Sequence, residues 1–235
     1  MNLIQLTSHS TVALIILGGL AAGLIHVFSG PDHLAAIAPL ALRKQRGAWQ
    51  VGLRWGAGHA SGVVVVGILS LLLRGVLPVD LISRGSDRLV GVLLIGIGLW
   101  TLRKATLIHA HSHSHESETH EHIHIHGRSA AKTHTIKKHI HTHAAFGIGT
   151  LHGLAGSAHF LAIIPSLAMP SNALAMTYLS SYGAGTVLAM MIFAVAISSF
   201  SLRFASATKV YRGMMFACSA MAISVGGVWL LGFGF

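Results

Sequence analysis

Five histidines and one aspartate stand where an otherwise apolar chain has little reason to carry them: His26, Asp32, His33, His59, His152 and His159. Imidazole nitrogens with a carboxylate oxygen suit nickel, cobalt, zinc or copper, and suit magnesium or calcium poorly. Their spacing repeats. His26 and His33 are seven residues apart, as are His152 and His159, and the two pairs are offset by 126 positions. Each first histidine is followed four residues later by a glycine, Gly30 or Gly156. Each pair then runs into Ala-Ile-x-Pro, at Ala36-Ile37-Ala38-Pro39 and Ala162-Ile163-Ile164-Pro165. A lone buried histidine is ordinarily a hydrogen-bonded core residue. A duplicated polar set in lipid is the mark of a transporter.

Lipid is the solvent that composition demands. The chain is 53% hydrophobic and 9% charged, with a mean hydropathy of +0.68, whereas soluble domains are about 25% charged. Apolar runs at residues 11–28, 56–73, 89–102, 145–167, 173–200 and 213–235 predict six spans, most of them near the ~20 residues a helix needs to cross a bilayer. The third is short and lengthens if Arg88 and Arg103 snorkel. No signal-peptide pattern marks the start, so the first run reads as a span. Asp32, just past the first run, is the only acid placed within a predicted membrane segment, where a carboxylate costs about 2.5–3.5 kcal/mol. The histidines are the partners available to offset it.

The net charge of +10 does not require nucleic acid. Six spans put thirteen Lys and Arg on the side of the loops after spans one, three and five, and only Arg74, Arg84 and Arg88 opposite. This bias predicts a cytoplasmic central loop and termini outside, in a bacterial-type inner or plasma membrane, and anionic headgroups account for the basicity. Cys218, the single cysteine, excludes an intrachain disulfide.

The repeat continues past the histidines. Trp55-Gly56-Ala57-Gly58 answers to Tyr182-Gly183-Ala184-Gly185, and Arg84-Gly85 leading to Trp100 answers to Arg212-Gly213 leading to Trp229. Three spans per half, an odd number, predict an inverted 3+3 repeat: residues 1–108, a His-rich loop 109–143, and residues 144–235. The first span of each half is expected to break, at Ser29-Gly30-Pro31 and near Gly156-Ser157, because serine caps, glycine bends and proline starts a helix. Such a break is tolerable at membrane depth only where protein or a cavity covers it.

His26 through Asp32-His33-Leu34-Ala35-Ala36, with Trp55-Gly56-Ala57-Gly58-His59, resembles the signature of nickel/cobalt transporters. The likeness is to the compact six-span branch that includes urease-accessory-type nickel permeases, high-affinity nickel-transport-like plastid proteins and histidine-loop exporters. It implies translocation of Ni²⁺ or Co²⁺, with His26, Asp32, His33 and His59 as the matched residues. Two departures stand out. Five residues, not four, separate His26 from Asp32, and Ala158 replaces an acid in the second half. The second-half histidines are therefore expected to matter less.

The loop 109–143 holds 12 of the 18 histidines, many at alternate positions. Alternation places imidazoles on one face of an extended chain, so the loop reads as a cytoplasmic metal buffer or sensor, with zinc a candidate ion. Its polarity predicts disorder without metal. The bland alternative is a linker of indifferent sequence. Likewise the glycines of spans two and five, Trp100 and Trp229, and the span methionines read as helix packing, interfacial anchors and core.

Enzyme classes find no support: there is no HExxH, no second membrane acid, no dithiol and no P-loop. The expected protein is an all-α membrane permease, not an enzyme and without a resident cofactor. Its partners are a divalent metal, the bilayer and, as a candidate, a cytoplasmic metallochaperone, with no nucleic acid. A bis-histidine haem protein and a membrane metal sensor are the alternatives.

Overall fold

The computed structural model describes residues 3–42, 47–73, 79–106, 108–115, 118–125, 137–154, 160–203 and 208–231. Among them the order is α1 (Leu3–Ser29), α2 (Pro31–Leu42), α3 (Trp49–Leu72), α4 (Val79–Thr106), β1 (Ile108–His115), β2 (Glu118–Ile125), α5 (Lys137–Leu154), α6 (Phe160–Ala168), α7 (Asn172–Arg203) and α8 (Thr208–Leu230). Five helices carry stretches long and apolar enough to cross a bilayer: Ser10–Ser29, Trp49–Leu72, Arg88–Thr106, Asn172–Arg203 and Lys209–Leu230. They correspond to expected spans one, two, three, five and six. The expected fourth falls on α5, whose apolar part is Ala144–Leu154, and on the short α6; residues 155–159 lie outside those described. Leu14, Leu17, Ile25, Val92 and Phe200 face outward, as suits a surface solvated by lipid tails.

The chain breaks in the first half where its residues dictate. Proline has no N–H to continue the ladder but suits a first helical turn, and α1 ends at Ser29 while α2 begins at Pro31. Gly30 bridges them. Its N–H donates to His26 O at 3.1 Å, and its carbonyl accepts from His33 N–H at 3.2 Å. Ser29 does not cap α2; its hydroxyl turns back to His26 O at 3.4 Å.

Helix α2 has 12 residues, about 18 Å of rise, too short for a ~30 Å hydrocarbon core. It is instead enclosed. Ala35, Ala36, Ala38 and Ala41 are fully buried and let α7, α8 and α4 approach. Tyr211 on α8 donates its hydroxyl to Leu42 O at 3.2 Å, satisfying a carbonyl at the end of α2. This is the condition under which a helix break is stable in lipid.

Around α2 the long helices pack in pairs: α1 on α7, α3 on α5 and α7, and α4 on α8. Glycine brings the backbones together. Gly23 faces the Tyr182 carbonyl and Gly185 the Leu20 carbonyl across α1 and α7, while Gly149 faces the Trp55 carbonyl and Gly58 the Phe146 carbonyl across α3 and α5. Gly91 and Gly226 face each other's carbonyls across α4 and α8. Small residues drive such contacts in lipid, where burial of apolar surface gives no advantage. Trp229 corrects the interfacial-anchor expectation: it is buried, packed in a core with Val90, Leu94 and Ala222. A side chain inside the helix bundle cannot anchor at a headgroup.

The His-rich loop is also corrected over part of its length. Disorder was expected, yet β1 and β2 form an antiparallel hairpin with His109 opposite His124, His111 opposite His122 and His113 opposite His120. The period-two alternation that puts histidines on one face is itself a strand pattern, and Thr119, Ile123 and Ile125 add β-branched residues. The remainder of the loop between residues 126 and 136 lies outside the described residues.

Candidate metal centre

Three predicted residues lie within about one turn of the break at Gly30. His26 lies in the last turn of α1, and Asp32 and His33 in the first turn of α2. His59 comes from the middle of α3 and His152 from the last turn of α5. All five are buried, none more than 2% exposed. His159, the sixth predicted residue, lies outside the described residues.

The five side chains form one continuous network. Asp32 Oδ1 accepts from His33 Nδ1 at 3.0 Å and Asp32 Oδ2 from His152 Nε2 at 2.9 Å. On the far side of His33, its Nε2 lies 3.4 Å from His59 Nε2, and His59 Nε2 lies 3.4 Å from His26 Nε2. Two overlapping triads of donor atoms result, His26/His33/His59 and Asp32/His33/His152, each with its atoms within 4.8 Å of one another. Hydrogen bonds to a charged group stabilise by about 1.5–3 kcal/mol each. Two of them offset the ~2.5–3.5 kcal/mol cost of a carboxylate at membrane depth.

Gly30 is needed here for space. A Cβ on it would stand 2.8 Å from Asp32 Oδ1, 3.0 Å from His26 O and against the His33 ring. Its φ is not among the positive ones; Gly47, in the connection after α2, holds that conformation at φ 76°. The expected bend is therefore made without left-handed backbone, and the missing side chain admits the Asp32–His33 bond.

Sequence reading missed two neighbours. The Tyr182 ring lies 5.5 Å from His26 and the Trp55 ring 6.2 Å from His152. Both are buried, and neither Tyr182 Oη nor Trp55 Nε1 has a hydrogen-bond partner among the described residues. The available signal was position: each opens a Gly-Ala-Gly triplet at matching places in the two halves. It was read as helix packing, which the glycines also serve.

Nitrogen-rich, buried and assembled from four helices, the centre has the chemistry to bind a borderline divalent cation. Three curated proteins are similar to the chain. Chloroplast protein FOR GROWTH AND FERTILITY 2 of Arabidopsis thaliana is 33% identical over 210 residues, 88% of this chain and 54% of that one. Chloroplast protein FOR GROWTH AND FERTILITY 1 of the same plant is 34% identical over 184 residues, 78% and 49% respectively. Urease accessory protein UreH of Bacillus sp. (strain TB-90) is 27% identical over 189 residues, 76% and 74%. The chain thus spans about half the length of the two plant relatives. No family model matches, and no solved structure matches.

Proposed function

We propose that the chain is a membrane permease for divalent transition metals, nickel or cobalt foremost, with the His/Asp centre as the cargo site between two inverted three-span halves. The observation that carries this reading is the composition of the centre. His26, Asp32, His33 and His59 come from the first half and His152 from the second, and a bond between Asp32 and His152 joins them. Alternating access requires a site at such a junction.

The packing supports the inverted repeat. Exchanging the halves turns the α1–α7 contact into α5–α3 and leaves α4–α8 and α3–α7 unchanged, and all four are extensive. Individual residues obey the same exchange: Gly23 over Tyr182 O becomes Gly149 over Trp55 O, and Gly185 over Leu20 O becomes Gly58 over Phe146 O. Likeness to a urease accessory protein agrees with the nickel/cobalt signature at His26 to His33. The charge bias supports a cytoplasmic loop 109–143 and termini outside.

Metal accumulation in cells with and without the chain tests the proposal. Higher cell nickel or cobalt marks uptake, lower metal with improved tolerance marks export, and no change in a correctly inserted protein contradicts it.

A further inference from the structure

Bond lengths divide the centre into two kinds of contact. The Asp32 contacts, 3.0 Å to His33 and 2.9 Å to His152, are ordinary N–H···O hydrogen bonds. An ionised carboxylate only accepts, so His33 Nδ1 and His152 Nε2 carry the hydrogens. A neutral His33 then has a bare lone pair on Nε2, the atom that faces His59. The contacts among His26, His33 and His59 are different. Both are 3.4 Å between Nε2 atoms, beyond the usual 2.7–3.2 Å hydrogen-bond range. They match the ~3.3–3.4 Å that two nitrogens keep when each lies about 2.0–2.1 Å from one tetrahedral ion.

Building on the reading of the centre as the cargo site, we infer that the ion is held by the Nε2 atoms of His26, His33 and His59, and that Asp32 is a positioning residue outside the ligand set. Asp32 fixes the tautomer and ring angle of His33, as carboxylates behind metal-bound histidines do, and connects that ring to His152 on α5. Three neutral nitrogens favour a borderline cation over magnesium or calcium, while the carboxylate charge sits one residue away.

The competing triad, Asp32, His33 and His152, contains two imidazoles instead of three, so counting imidazoles decides between them. The test uses the full-length chain in lipid nanodiscs, with the loop histidines of residues 109–143 changed to asparagine, loaded with Co²⁺ alone. X-ray absorption at the cobalt edge gives the imidazole count, and titration gives the affinity. Three imidazoles are expected in the parent, two in His26→Ala and His59→Ala, and three in Asp32→Asn and His152→Ala with affinity weakened roughly 10–100-fold. Two imidazoles in the parent, a lower count in His152→Ala, or complete loss of binding in a folded Asp32→Asn protein overturns the inference. The parent count needs no substitution, so a variant that fails to fold leaves the test intact. Three imidazoles in a protein that moves no metal would uphold the ligand assignment and sink the transport reading. Metal flux with a count of two would do the reverse.

Discussion

Asp32 and His152 are 120 residues apart in sequence, and 2.9 Å separates the carboxylate from the imidazole. That bond ties the first turn of a short buried helix to the last turn of α5, and so one half of the chain to the other. It makes His152 a direct partner of the only acid in the centre.

Asp32→Asn and His152→Ala should therefore behave alike. Each disturbs the contact between Asp32 and His152, and each is expected to weaken metal affinity roughly 10–100-fold. The double variant should be little worse than the poorer single one, because residues sharing a network are not additive. Titration of the four proteins checks this, and fully multiplicative losses would show that the two residues act independently.

The sequence made some of this centre legible and hid the rest for a physical reason. His26, Asp32, His33 and His59 announce themselves because polar groups are costly in lipid, and Pro31 marks the break because it lacks an N–H. His152 was expected to matter less, since Ala158 leaves its half without an acid. Its role depends on how α5 packs against α3, through Gly58, Gly62, Gly149 and Gly153, and no local pattern states a helix-to-helix register. The same limit concealed Tyr182 and Trp55 as neighbours of the centre. The hairpin was missed differently: alternation was read for its metal chemistry, while the polarity of the loop was given more weight than the strand pattern itself.

Gly30→Ala tests the idea that this glycine supplies space. In an ordinary helix alanine is favoured over glycine by about 1 kcal/mol. Here the added Cβ meets Asp32 Oδ1 and the His33 ring, so metal affinity should fall at least about tenfold, by the logic of a displaced supporting bond, in protein that still inserts. Affinity equal to the parent's would contradict the steric account.

Glycine contacts between helices give a matched stability experiment. Gly149→Val and Gly185→Val press a side chain onto the Trp55 and Leu20 carbonyls, and overpacking of this kind costs about 1–3 kcal/mol. Gly96 and Gly147 have nothing within 4 Å of a built Cβ, and alanine there should be tolerated. Thermal unfolding in nanodiscs should separate the two pairs, the first melting lower and the second unchanged.

Removal of residues 109–126 should leave a measurable transport rate and change its dependence on metal concentration, because none of the five residues of the buried centre comes from that segment. Complete loss of flux in a stable, inserted variant would place the loop on the transport path. Protease should reach the loop only from the cytoplasmic face; digestion in intact cells, with internal markers protected, would reverse the orientation drawn from the charge bias.

Metal flux into proteoliposomes, normalised to inserted protein, tests the central claim most directly. Time-dependent Ni²⁺ or Co²⁺ movement is expected in the parent and should be largely abolished in His33→Ala and His59→Ala. At low metal it should decline in acid, because protons compete with the cation for the imidazole nitrogens, and the decline should fade at saturating metal, which holds the ligands deprotonated. Flux equal to that of empty liposomes, or unchanged when His33 and His59 are replaced, would contradict the account.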